Sequence, residues 1–159
     1  EAGLDGGRAR ADPRGYSGFR DSRCGEVTPQ DLRRVVETIA TPRVQTPQAL
    51  EFDYHDVTMA CLFDEAHDRV RVLAPVADMQ DVAAAQLQTV MEANFYTTLD
   101  ARYATARGVL YALYVHPLRS LGEEHFCSAV EQVAALVQSF GADYSSGKLI
   151  YGPEDELLD

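Results

Sequence analysis

Six residues, Asp53, His55, Asp56, Asp64, His67 and Asp68, form the densest group of chemically capable side chains in this chain. Imidazole and carboxylate are suitable ligands for a transition metal, and Asp53 and His55 would share one strand face. Polar turns are rich in Asp and His for backbone reasons, so no metal site is expected here. Asp64-Glu65-Ala66-His67 spells the letters of a helicase ATPase motif, which requires an upstream G-x-x-x-x-G-K-[ST] phosphate loop. The nearest approach runs from Gly141 to Leu149. Five residues separate its glycines, Leu149 stands where Ser or Thr would bind magnesium, and it follows the motif instead of preceding it. That match is a coincidence. His125 and Cys127 are two apart on a helix and do not face each other. Ser120, Ser145 and Ser146 lack a nucleophile elbow, and His116, before Pro117, reads as a solvated loop residue. Cys61 in the apolar run 57–63, and Cys127 beside Phe126, read as small buried hydrophobes. Cys24 lies in a Gly/Arg-rich stretch and reads as an incidental thiol. No enzyme class is supported and no cofactor is expected. A metal- or thiol-dependent enzyme using His55, His67 or Cys127 is the alternative from that class.

Charge narrows the partners. Fourteen Lys and Arg face 25 Asp and Glu, for a net charge of −11. Residues 1–26 balance five Arg against five acids, so the whole excess falls on 27–159. Such a field repels phosphate backbones and anionic headgroups, which disfavours nucleic acid and membrane surfaces but suits a basic or apolar polypeptide. Hydrophobic residues make up 46% of the 159, ordinary for one globular domain. No apolar run approaches the ~18 residues that cross a bilayer. The N-terminus holds no apolar core of the secretory kind, and the first residue is not Met, so a processed or truncated cytoplasmic chain is expected.

The elements follow from periodicity. Residues 1–27 have six Gly among scattered Arg and Asp without an apolar period, and read as a flexible arm. Thr28-Pro29-Gln30-Asp31 can cap a helix, whose apolar face is Leu32, Val35, Val36, Ile39 and Ala40. Pro42 should stop it, and Pro42 and Pro47 should bracket a loop. Leu50, Phe52 and Tyr54 alternate; Val57, Met59, Cys61 and Phe63 alternate after a slip at His55-Asp56 that a tight turn or bulge explains. Val70, Val72 and Ala74 make a further strand. Asp78 can cap a second helix carrying Met79, Val82, Ala83, Leu87, Val90 and Met91 and ending near Asn94. Strands around 99–105 and 109–115 join through Arg107-Gly108. Ser120-Leu121-Gly122-Glu123 reads as a capping box for a last helix through Phe126, Val130, Val133, Val137 and Phe140, ended by Gly141. Residues 148–151 read as a short strand and 152–159 as an acidic tail, leaving one domain at 28–151. The class is α+β, an antiparallel sheet with three helices in the order α-β-β-β-α-β-β-α.

The strand at 109–115 is apolar on both faces: Leu110, Ala112 and Tyr114 alternate with Val109, Tyr111, Leu113 and Val115. Helices of the same chain cover one face. The other needs a second cover, and a symmetric partner subunit is the expected one.

This order of elements resembles the class I type III secretion chaperones, the Tir-chaperone family, over about residues 29–140. Val90-Met91-Glu92-Ala93-Asn94-Phe95 is similar to that family's helix ending in Leu-x-x-Asn. Leu113-Tyr114-Val115-His116-Pro117-Leu118-Arg119-Ser120-Leu121 is similar to its last strand leading into the final helix. The YbjN-type bacterial regulators share the fold and the Asn, and are the alternative family. The resemblance implies a non-enzymatic, cytoplasmic homodimer that holds an extended segment of another polypeptide, a secreted effector, by apolar patches and sheet edges. It would place the partner-binding patches on Leu32, Val35, Val36, Ile39, Phe52, Tyr54 and Met59. The dimer interface would lie on Leu87, Val90 and Met91, backed by Leu110, Ala112 and Tyr114.

Overall fold

The computed structural model describes residues 25–147. Most of the N-terminal arm, the strand expected at 148–151 and the acidic tail lie outside the described residues. Three helices accompany a six-stranded antiparallel sheet: α1 (Pro29–Ile39), β1 (Thr41–Gln45), β2 (Ala49–Tyr54), β3 (Val57–Asp64), β4 (Arg69–Asp78), α2 (Ala84–Tyr96), β5 (Arg102–Ala106), β6 (Val109–His116) and α3 (Glu123–Ser139). Strand order across the sheet is β1-β2-β3-β4-β6-β5. This is the expected α+β order with one strand more, β1, at the edge.

α1 begins as its sequence dictates. Thr28 caps it, with its hydroxyl and N–H both donating to Asp31 Oδ2 at 2.6 and 2.9 Å, and Pro29 fills the first turn. The Thr28 hydroxyl, its backbone N–H and then Arg34 hold the Asp31 carboxyl below its ordinary range. Thr28→Ala is expected to cost about 1 kcal/mol of stability, measured by urea unfolding at pH 7. Because the folded value is depressed, the carboxylate's contribution is present above pH ~4 and fades as pH falls through that lower value. The variant should therefore converge on the native chain in acid.

Two of the hairpins are as tight as backbone stereochemistry allows. His55 and Asp56, with φ of 45° and 64°, link Tyr54 directly to its partner Val57. Arg107 (φ 50°) and Gly108 (φ 77°) do the same between Ala106 and Val109. Positive φ at both central positions matches the right-handed strand twist.

Four boundaries differ from expectation. Residues 41–45 are a strand, not a loop. Only two of its residues, Pro42 and Val44, are apolar and all but Pro42 are exposed, so no alternation marks it; Pro42 is tolerated because β1 is an edge. Asp78 does not cap α2 but ends β4, paired with Val109. A 3-10 turn (Met79–Asp81) intervenes before α2 starts from Ala83 without a side-chain cap. β5 begins at Arg102, later than the 99 expected. Ser120 lies in a second 3-10 turn (Leu118–Ser120), so Gly122 precedes α3, whose first turn instead carries Glu123 and Glu124 against the helix dipole.

The core lies on one face of the sheet. α3 packs across β4, β6 and β5, and α1 packs on α3, β1 and β2. Leu50, Phe52, Met59, Cys61, Val70, Val72, Ala74, Leu110 and Ala112 meet Leu32, Val36, Phe126, Val130, Val133 and Leu136 there, all essentially inaccessible. Among the described residues no helix is long and apolar enough to cross a membrane.

Candidate polypeptide-binding surfaces

The acid and histidine group does not converge. Asp53, His55 and Asp56 stand at the β2–β3 turn, whereas Asp64, His67 and Asp68 stand at the β3–β4 turn. The eight residues of β3 lie between them, roughly 25 Å of extended chain. Three of the four acids are engaged elsewhere. Asp53 accepts from Thr58 Oγ1 at 2.7 Å and from Arg43 at 3.1 Å, which lower its pKa in that order. Asp64 accepts from the His67 backbone N–H and ring, which lower it likewise. Asp68 accepts from the Arg119 N–H at 2.9 Å. Among the described residues no three metal-ligating side chains gather. Burial pushes both thiols up, Cys61 far more than Cys127, where Glu123 and Glu131 add to it.

Most residues assigned to partner binding are interior. Leu32, Val36, Phe52 and Met59 are buried in the core, because α1 lays its apolar stripe on the sheet and α3. Ile39 and Tyr54 are half-buried at its rim. Leu32 and Val35, both buried, form the floor of a cleft lined by Val27, Asp31, Arg34, Thr38 and Glu123 between α1 and the start of α3. Beside α1, β1 exposes Val44 to 51%. Arg33, missed in the sequence reading, fixes this end of the molecule. Its guanidinium lies 5.0 Å above the Phe63 ring and donates to the carbonyls of Thr46, Pro47 and Ala49. The β1–β2 loop is thereby tied to α1.

The residues assigned to a dimer interface divide. Parity in β6 is the reverse of that expected: Leu110, Ala112 and Tyr114 point inward to α3, because the helices took that face. Val109, Tyr111, Leu113 and Val115 form the outer one, half-buried except for Val115 at 47% exposure. By register they continue into Leu73 and Pro75 of β4 and Ala60 and Leu62 of β3. Val90 is buried, since α2 turns it toward the core with Ala93. Met91 is 60% exposed and Phe95, not singled out in sequence, 77%. Helical spacing puts Leu87, Met91 and Phe95 on one flank of α2. The opposite flank carries Gln86 and Thr97, which bond Tyr144.

The two sheet edges differ. On β5, Asn94 of α2 accepts from the Tyr103 N–H at 2.8 Å and donates to the Tyr103 carbonyl at 3.0 Å. Gln132 of α3 accepts from the Ala101 N–H at 3.0 Å. On β1, no backbone hydrogen bond among the described residues reaches the strand from outside its pairing with β2.

No protein-family model matches the chain, and no curated protein is similar to it in sequence. Solved structures are similar to it in shape. A chain of the HopA1-SchA chaperone-effector complex aligns with a TM-score of 0.49 at 11% identity, over 69% of this chain and 87% of that one. A chain of the ExsC-ExsE complex aligns with a TM-score of 0.54 at 11% identity, over 72% and 96%, and the two share a fold.

Proposed function

We propose that this protein is a non-enzymatic, chaperone-like binder of another polypeptide, working in the cytoplasm as a homodimer. The observation that carries the reading is the apolar surface left open: Met91 and Phe95 on α2, and Val115 and Leu62 on the outer face of the sheet. Large apolar patches on a folded domain mark protein–protein contact. The fold shared with a chain of the ExsC-ExsE complex supports the same reading, as does the resemblance to type III secretion chaperones.

Two different surfaces serve two different roles. The exposed α2 flank of Met91 and Phe95 suits a symmetric partner, because a patch can pack against its own copy. The α1 cleft and the β1 edge suit an extended segment, which gains main-chain hydrogen bonds along a strand and an apolar contact with the exposed Val44. The acidic chain favours a segment carrying Lys or Arg around that contact.

The test is co-purification of the tagged full chain from its native host, followed by titration with the captured segment. Val44→Asp should weaken capture at least tenfold and leave the melting temperature unchanged, since Val44 is exposed. Equal capture by the native chain and the variant removes the β1 edge from the site.

A further inference from the structure

We infer that Asn94 is an edge lock, a specificity-determining residue that denies β5 to any added strand and so leaves β1 as the edge open to one. In an antiparallel strand the outward N–H and C=O groups belong to alternate residues. Tyr103 presents both of its groups to Asn94, so the outward set in this stretch is Ala101, Tyr103 and Thr105. Asn94 takes both groups of Tyr103 in the geometry a neighbouring strand would use. The Ala101 N–H is already held by Gln132. Thr105 alone remains, and a single open position gives an incoming strand no ladder.

The carboxamide suits this role chemically. It carries one acceptor and two donors on a short, planar group, so it reproduces a peptide unit and closes both lone backbone groups at once. An ionised Asp at the same place would accept from the N–H and leave the carbonyl unpaired. The lock is held in place from the other flank of α2, where Thr97 Oγ1 donates to the Tyr144 carbonyl at 2.7 Å and the Ser146 N–H donates to the Thr97 carbonyl at 3.3 Å. Among the described residues β1 has no equivalent. Pro42 blunts its start, but Thr46 and Ala49 exchange backbone hydrogen bonds, so by the same alternation Gln45 turns its N–H and C=O outward, two residues from Arg43, which the register shift leaves without a partner on β2.

The statement about β5 stands by itself, whereas the role of β1 rests on the polypeptide-binding reading. The experiment therefore needs no partner. Asn94→Ala and Asn94→Asp are made in the full chain carrying Met91→Asp and Phe95→Asp, which removes contacts through α2. Amide exchange and light scattering from 5 to 500 μM are then recorded. In Asn94→Ala the Tyr103 amide should exchange at least tenfold faster while the Leu113 amide is unchanged, and the mass should rise with concentration as β5 edges pair. Asn94→Asp should leave the Tyr103 amide protected, since a carboxylate still accepts from that N–H, and should stay monomeric because a charge on an edge opposes pairing. Unchanged Tyr103 exchange in Asn94→Ala overturns the lock. Equal acceleration at Leu113 overturns it too, since Asn94 would then hold the whole fold. So does a monomeric Asn94→Ala.

Discussion

Replacing Met91 and Phe95 together by Asp is expected to turn a dimer into a monomer without disturbing the fold. Both side chains are mostly exposed in the single chain, so neither substitution removes a core contact. In a two-fold interface each carboxylate occurs twice and is buried without a partner. An uncompensated buried charge costs about 3–5 kcal/mol, and 1.4 kcal/mol is a factor of ten in affinity, so the dimer should weaken by at least about a thousandfold. Light scattering at micromolar concentration gives the mass, and circular dichroism and the melting temperature show whether the fold survives. A variant that remains dimeric places the interface elsewhere. A native chain that is monomeric at that concentration removes the homodimer. Val90 is unsuited to this test: it is fully buried, and a charge there would unfold α2 from the core.

Where one face of an element meets the core and the other meets water, the residues announced it. Val57, Met59, Cys61 and Phe63 alternate in sequence and are buried in alternation. Thr28 and Asp31 stand three apart and form the cap that spacing implies. His55-Asp56 and Arg107-Gly108 fall where the apolar period breaks, and both are two-residue turns. β1 was illegible for the complementary reason: exposed on both faces, it has no period to read. The start of α2 was misplaced because Asp78 has the chemistry of a cap, yet its backbone is claimed first by pairing with Val109. Tertiary pairing overrode local preference there.

The candidate surfaces were harder to read than the elements. A strand apolar on both faces says that both are covered or free, and parity alone cannot say which face the helices take. Leu110, Ala112 and Tyr114 were therefore assigned outward when α3 covers them. The stripe of α1 met the same ambiguity, since a residue that packs a core and one that anchors a partner have the same side chain. Polar residues within apolar stretches were the stronger signal. Arg33 among Leu32, Val35 and Val36, Asn94 beside Phe95, and Gln132 between Val130 and Val133 each reach a backbone group that nothing else satisfies. A buried polar side chain survives in an apolar stripe when it closes such a group.

Gln132 carries the largest stability effect of the three. It is almost fully buried on α3, and its Oε1 accepts from the N–H groups of Asp100 and Ala101 at 2.8 and 3.0 Å. Its Nε2 donates to Asp100 Oδ2 and Ser128 Oγ at 3.1 and 3.2 Å. This is the joint between α3 and the entry to β5. Gln132→Leu keeps the volume and gains apolar burial, but leaves the two N–H groups without an acceptor. Ala101 is wholly buried, so its N–H has no water to turn to; Asp100 is exposed and recovers part of its loss. An unsatisfied buried donor costs about 1–3 kcal/mol, and the net loss should be about 2–3 kcal/mol. For a domain of this size that lowers the melting temperature by about 5–10 °C. Denaturant unfolding should show a lower midpoint with an unchanged slope, and the Ala101 amide should lose its exchange protection first. A Leu variant as stable as the native chain would mean that apolar packing at this position outweighs the four hydrogen bonds, and that β5 is held to the sheet by its pairing with β6 alone.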